Sequence, residues 1–220
     1  MKIVVASCDK NIDLFDAYHH CMEKYWPDHP EIIYLQETIQ NPYYKTICKD
    51  YPKEIWTRRI RESLQEIDDD IILFTTDDDF LNDYVNTQKL EHLPPYLKGN
   101  TASINLELSF SQEDLVCEYQ GLKYRPPYGP VPISLQCGLW QREKLIHVLD
   151  RDAGIWTVEE EPDLKGYDFY ILNNSKVLSW TGDAPHHRGG LAYGKWHRYT
   201  RTFLEDEGIY MDYDSRGYCD

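Results

Sequence analysis

Ile71-Ile72-Leu73-Phe74-Thr75-Thr76-Asp77-Asp78-Asp79 is the stretch on which the reading of this chain turns. A short apolar and β-branched run without Gly or Pro reads as a buried strand, and the carboxylates that follow at once mark where the strand gives way to a loop. Working outward, Lys2 to Ser7 is a similar run ending in polar residues, and Glu31 to Leu35 is another. Between them Leu14, Phe15, Tyr18, Cys21, Met22, Tyr25 and Trp26 recur at helical spacing, with Asn11 or Asp13 as the cap and Pro27 and Pro30 as the stop. Ile55, Trp56, Ile60, Leu64 and Ile67 describe a second amphipathic helix after a loop rich in Pro and Tyr. This β-α-β-α-β order predicts an α/β fold whose mainly parallel sheet carries ligand sites beyond the carboxyl ends of its strands. Cys8-Asp9-Lys10, Gln36-Glu37 and Asp77-Asp78-Asp79 share that edge, whereas Asp68-Asp69-Asp70 enters its strand from the opposite edge and reads as solvated.

The pattern changes after a short helix around Leu81 to Leu93. Ile104, Leu106, Leu108 and Phe110 alternate with polar residues as a half-exposed strand would, with Val116 to Arg125 as its hairpin neighbour. Ser134 to Trp140 is strand-like and leads into a helix carrying Leu145, Ile146, Val148 and Leu149. Pro185 to Trp196 reads as a mobile loop, and a helix near Tyr199 to Glu207 ends at Gly208. The second half is thus a mixed lobe fused to the first within one domain over 1–220.

With 23 basic and 38 acidic residues the formal charge is −15, a field that opposes nucleic acid and anionic membranes. No apolar run approaches the ~20 residues of a bilayer span, and Ile3-Val4-Val5-Ala6 is stopped at once by Cys8, Asp9 and Lys10, so neither a transmembrane segment nor a signal peptide is expected. Six scattered cysteines without a CxxC pair read as free thiols. The expected location is the cytosol, at a membrane only through an acceptor.

Carboxylates crowded at a strand end are costly unless a cation neutralises them, and hard oxygen ligands suit Mg²⁺ or Mn²⁺. Asp77 and Asp79 could hold such an ion together or through water; the plainer alternative is a helix-capping acidic turn. Three further pieces follow in order: Ser134-Leu135-Gln136-Cys137-Gly138-Leu139-Trp140, Trp156-Thr157-Val158-Glu159 and Gly194-Lys195-Trp196. Together with the acidic triplet they resemble the small sugar-nucleotide glycosyltransferases of GT-A fold that build bacterial capsule and lipopolysaccharide glycans and also occur in viruses. The order of the motifs, over nearly the whole chain, carries that resemblance.

The resemblance implies a GT-A-like, Rossmann-type αβα sandwich in which 1–100 binds the nucleotide sugar and 101–220 faces the acceptor. It implies a DXD-type metal site, with Asp77 and Asp79 flanking a divalent ion on the donor diphosphate and Asp78 near the sugar or ribose. Ser7, Cys8 and Asp9 would hold base and ribose, although Asp9 serves equally as a helix cap. Glu159 would be the general base of an inverting displacement, with burial beside Trp156 raising its pKa. Glu160 and Glu161 are adjacent rivals, and an acidic first helical turn is the structural alternative. Gln136, Gly138 and Trp140 would wall the sugar pocket, Trp156 would meet the acceptor, Lys195 would bind phosphate and His186 or His187 would complete the metal site. The implied donor is a UDP-sugar and the acceptor a glycan or lipid-linked saccharide. The chain departs from the pattern at Asp79, where an aromatic is common, and at Ile155, where a proline is. A metal-dependent phosphoesterase or nuclease, or a lapsed nucleotide-sugar or glycan-binding module, remain the alternatives.

Overall fold

The β-branched run at the start of the chain forms β1 (Lys2–Ala6), followed by α1 (Phe15–Tyr25), β2 (Ile32–Gln36), β3 (Lys45–Cys48), α2 (Trp56–Leu64) and β4 (Ile71–Thr76). Then come α3 (Thr87–Glu91), β5 (Thr101–Asn105), β6 (Glu118–Tyr119), β7 (Leu122–Arg125), β8 (Gly138–Gln141), α4 (Arg142–Val148) and α5 (Ile155–Glu160). β9 (Asp168–Leu172), β10 (Leu191–Ala192), β11 (Lys195–His197), α6 (Arg198–Asp206) and β12 (Tyr218–Cys219) complete the order. This computed structural model describes residues 1–106, 118–119, 122–125, 133–172, 177–179, 181 and 189–219.

Among the described residues, nine strands form one sheet in the order β3-β2-β1-β4-β8-β5-β9-β7-β6, and β10, β11 and β12 form a second, small one. β3, β2, β1 and β4 are parallel; β8 runs antiparallel between β4 and β5; β5 and β9 are parallel, and β7 is antiparallel to β9. Alternate residues of the central strands feed two apolar layers, as the period of a strand requires. Ile3, Val5 and Leu73 pack with Tyr18, Cys21 and Met22 of α1 on one face. Val4, Ile72 and Phe74 pack with Ile60 and Leu64 of α2 and Leu145 of α4 on the other. Each such Leu or Ile, fully buried, contributes roughly 1.5–3 kcal/mol. The result is the expected αβα arrangement, mainly parallel in the first half and mixed in the second.

Three expectations change. The Pro- and Tyr-rich loop contains β3, a four-residue edge strand in which only Ile47 is buried, too short to leave a periodic signal. The helix expected from Leu81 shrinks to α3 because preceding amides bond distant carbonyls: Asn82 N to Ser179 O (3.0 Å), Val85 N to Tyr25 O (3.1 Å) and Asn86 N to Val177 O (2.8 Å). β5 is flanked by β8 and β9, and the β6–β7 pair docks on β9 in place of β5. Leu108, Phe110 and Val116 lie outside the described residues. Among the described residues, no helix is long and apolar enough to cross a membrane, and Cys8, Cys21, Cys48, Cys137 and Cys219 are free thiols.

β8 corrects two site assignments. Trp140 lies in the apolar layer with Leu145 of α4 and Ile60 of α2, so it is only 1% exposed and meets Phe169 edge to face at 6.0 Å. A Cβ on Gly138 would come within 3.2 Å of Ile104 O and 3.3 Å of Asn105 Cα. Both residues serve sheet packing, and neither lines the cavity described below. Trp140→Ala is therefore expected to lower unfolding free energy by roughly 3–5 kcal/mol, measured by urea denaturation, with Trp140→Phe losing much less; unchanged stability in both variants would contradict this placement.

Candidate active site

β1, β2 and β4 end together because they are parallel and in register, Ala6 lying opposite Leu35 on one side and Thr76 on the other. The acidic triplet then turns, with Asp79 N donating to Thr76 O at 3.3 Å, and its three side chains part. Asp77 points to the end of β1, where Ser7 Oγ donates to its Oδ2 at 2.5 Å and Asn11 Nδ2 to its Oδ1 at 3.0 Å. Asp79 folds back on β4 and accepts from Thr75 Oγ1 at 2.7 Å and Thr76 Oγ1 at 3.1 Å. Asp78 alone of the three lines the large cavity at this edge. Asp77 and Asp79, the expected metal pair, are thus each engaged by their own donors, Asp77 by Ser7 and Asn11 and Asp79 by Thr75 and Thr76.

Asp78 is held from the far end of the chain. Its carbonyl accepts from Gly190 N at 2.7 Å and its Oδ2 from Leu191 N at 3.2 Å. That close approach needs glycine: a Cβ on Gly189, whose φ is +72°, would lie 2.5 Å from Asp78 Oδ2, and one on Gly190 would meet the Phe80 ring at 2.6 Å. The Gly-Gly dipeptide was the available signal in the sequence, but local reading makes it a loop and not a clamp.

The cavity encloses about 570 Å³ and is lined by Thr76, Asp78, Leu135, Gln136, Ile155, Trp156, Glu159, Leu191, Ala192, Tyr193 and His197. α5 turns Glu159 inward, 7% exposed, where its Oε1 accepts from Leu135 N at 2.7 Å. Glu160 and Glu161 are exposed on the helix exterior, so of the three neighbouring glutamates Glu159 is the one at the cavity. Trp156 stands at the mouth, 58% exposed. Gln136 lines the wall, as anticipated. Lys195 is exposed and outside the lining, while His197, on the same face of β11, lines the cavity and has its Nδ1 3.2 Å from Cys219 Sγ.

Ser7, Cys8 and Asp9 adjoin this cavity without lining it. Ser7 is committed to Asp77. Asp9 does not cap the helix with its side chain; it is half-exposed and accepts from Thr38 N at 3.0 Å, Ile39 N at 3.1 Å and the Thr38 hydroxyl. Burial raises its pKa, but these bonds outweigh burial and hold it below the ordinary range. Burial and the nearby Asp77 push the Cys8 thiol up to about 11. His186 and His187 lie outside the described residues.

Burial, followed by repulsion from Asp78, pushes Asp77 up to about 7 against the opposing bonds from Ser7 and Asn11, and burial raises Asp78 as well. Arg216 moderates both. It donates to Asp13 Oδ2 at 2.8 Å, Lys10 O at 2.6 Å and Asn11 Oδ1 at 3.1 Å, so it also orients the Asn11 that holds Asp77. Arg59, 3% exposed, ties α2 to the end of β1 through Ser7 O at 2.6 Å. Sequence reasoning missed both arginines, which stand in no motif.

For a divalent ion the fit is one of chemistry. Burial raises the pKa of two adjacent carboxylates despite the bonds to them and the charge of Arg216, so a cation would be favoured beside them, and Asp78 offers a hard oxygen to the cavity. Among the described residues, no group of three or more His, Cys, Asp or Glu side chains forms a ready metal cluster.

By sequence, no family model and no curated protein matches the chain. In structure it resembles a CMP:2-keto-3-deoxy-manno-octonic acid synthetase complexed with CTP, at 11% identity over 78% of this chain and 89% of that one, with a TM-score of 0.51. A cytidylyltransferase from Leptospira borgpetersenii aligns at 11% identity over 83% and 82% of the two chains, TM-score 0.49. The glycosyltransferase GlyE of Streptococcus pneumoniae aligns at 14% identity over 66% of this chain and 35% of that one, TM-score 0.44. At 11% identity, what the chain shares with the synthetase is the fold.

Proposed function

We propose that the chain is a glycosyltransferase that moves a sugar from a nucleoside diphosphate, with UDP the expected nucleotide, to a hydroxyl of a glycan or lipid-linked saccharide. The observation that carries this reading is the convergence of Asp78, Glu159 and Gln136 on one cavity at the carboxyl edge of the sheet, with an exposed Trp156 at its mouth. A carboxylate base, an amide that bonds hydroxyls and an aromatic face together suit a saccharide.

Glu159 would take the proton from the acceptor hydroxyl as that oxygen attacks the anomeric carbon. The new glycosidic bond forms on one face while the bond to the diphosphate oxygen breaks on the other, inverting the centre. The Leu135 amide on Oε1 fixes the carboxylate, which reduces the reorganisation needed at the moment of transfer. Gln136 would bond sugar hydroxyls. A Mn²⁺ or Mg²⁺ ion would be held by Asp78, with donor phosphates and water supplying the rest of its shell, the usual arrangement for Mg²⁺. When bound, such an ion supplies positive charge for the departing diphosphate. Asp77 would act behind Asp78 through its charge, and Arg216 would keep that charge in place. Lys195 is assigned no phosphate contact.

Glu159→Gln is expected to lower transfer by roughly 10²–10⁴-fold while leaving thermal stabilisation by UDP with Mn²⁺ intact. Normal turnover in that variant, or release of pyrophosphate from CTP in place of UDP from a UDP-sugar, would overturn the reading. Asp78→Asn should abolish the Mn²⁺-dependent part of the UDP shift; an undiminished shift would remove Asp78 from the ion.

The raised pKa of Asp77 gives a stability test in metal-free buffer. The folded state binds this proton more tightly than the unfolded chain, so the contribution is fully present below about 4 and lost as pH rises through about 7. Asp77→Asn should therefore match wild type near pH 4 and melt several degrees higher above pH 7. A difference independent of pH would refute the buried charge as its cause.

A further inference from the structure

The cavity mouth contains a residue held in a conformation its side chain disfavours. β10 and β11 are joined by the two residues Tyr193-Gly194, with φ of +52° and +77°. Such turns favour Asn-Gly because both positions lie in the left-handed region, and a bulky aromatic there is an outlier. No packing accounts for it, because Tyr193 is 90% exposed. Its ring instead stands 6.1 Å from that of Trp156, inclined by 28°, across the mouth from α5. Both rings line the same cavity as Asp78, Gln136 and Glu159. A strained and exposed residue over a cavity points to a ligand.

We propose that Trp156 and Tyr193 form a stacking subsite for a saccharide ring at the cavity mouth. This rests on the glycosyltransferase reading and deepens it by giving the acceptor sugar a place. The rings offer an apolar face where water would otherwise lie, and the polar groups that meet hydroxyls stand deeper, at Gln136 and Glu159. A pyranose with equatorial hydroxyls matches that division, since its axial C–H bonds make one face apolar while its rim stays polar.

The test uses Trp156 as its own reporter, because the other described tryptophans, Trp26, Trp56, Trp140 and Trp196, are 8% exposed or less. The protein is titrated with cellotriose, chitotriose and lactose while indole emission is followed. At least one sugar should give a saturable change that is lost in Trp156→Phe. In Tyr193→Asn the affinity should fall about tenfold, the scale of one aromatic contact, while the melting temperature stays at or above wild type because Asn suits the turn. No response to any of the three sugars, or unchanged affinity in Tyr193→Asn, would overturn the subsite. The UDP with Mn²⁺ thermal shift is measured in parallel: its survival without a sugar response removes the subsite and leaves the transferase reading standing. A sugar response without that shift supports the subsite and removes the UDP donor.

Discussion

A carboxylate withdrawn from water at the end of a parallel sheet is the constraint around which this molecule is arranged. Asp77 is 2% exposed, and a buried charge persists only where bonds to it compensate for lost hydration. Ser7 and Asn11 supply those bonds, and Arg216 holds Asn11 from a segment more than two hundred residues away in the chain. Asp77 thereby fixes the turn that follows β4. With the turn fixed, Asp78 is delivered to the cavity and Asp79 is returned to the hydroxyls of Thr75 and Thr76.

The same edge is built by elements from both halves of the chain. The parallel half contributes the acidic turn. The mixed half contributes Gln136 ahead of β8, Glu159 on α5 and the β10–β11 hairpin. β8 makes this possible by running antiparallel beside β4, which brings the segment before it to the carboxyl end of β4. An equivalent parallel strand would have delivered that segment to the opposite edge.

Cation chemistry and aromatic chemistry divide the cavity between them. Charge enters the cavity at Asp78, which the neighbouring Asp77 repels from outside the lining, and apolar surface stands at its mouth, where Trp156 and Tyr193 are exposed. Gly189 and Gly190 join the two regions, because only residues without a Cβ let the hairpin lie against Asp78 while its tip reaches Trp156. Arrangements of this kind trade stability for function, since neither a buried carboxylate beside a second one nor a left-handed tyrosine favours the folded state.

From the sequence alone came whatever a local period can carry. β1, β2, β4 and the helices between them were legible because alternating and 3.6-residue patterns report burial directly, and they place the second acidic triplet on the ligand edge and the first on the other. The motif Trp156-Thr157-Val158-Glu159 likewise carried its glutamate to the cavity. What only the tertiary structure decided were directions within turns and the partners of isolated residues. Which aspartate faces the cavity depends on amides at Gly190 and Leu191; Trp140 became core because it lies in one apolar layer with residues of α2 and α4; Arg216 and Tyr193 acquired their places from contacts with distant segments. Periodicity is a property of neighbours along the chain, whereas a side chain leaving a turn is aimed by bonds to residues a hundred positions away.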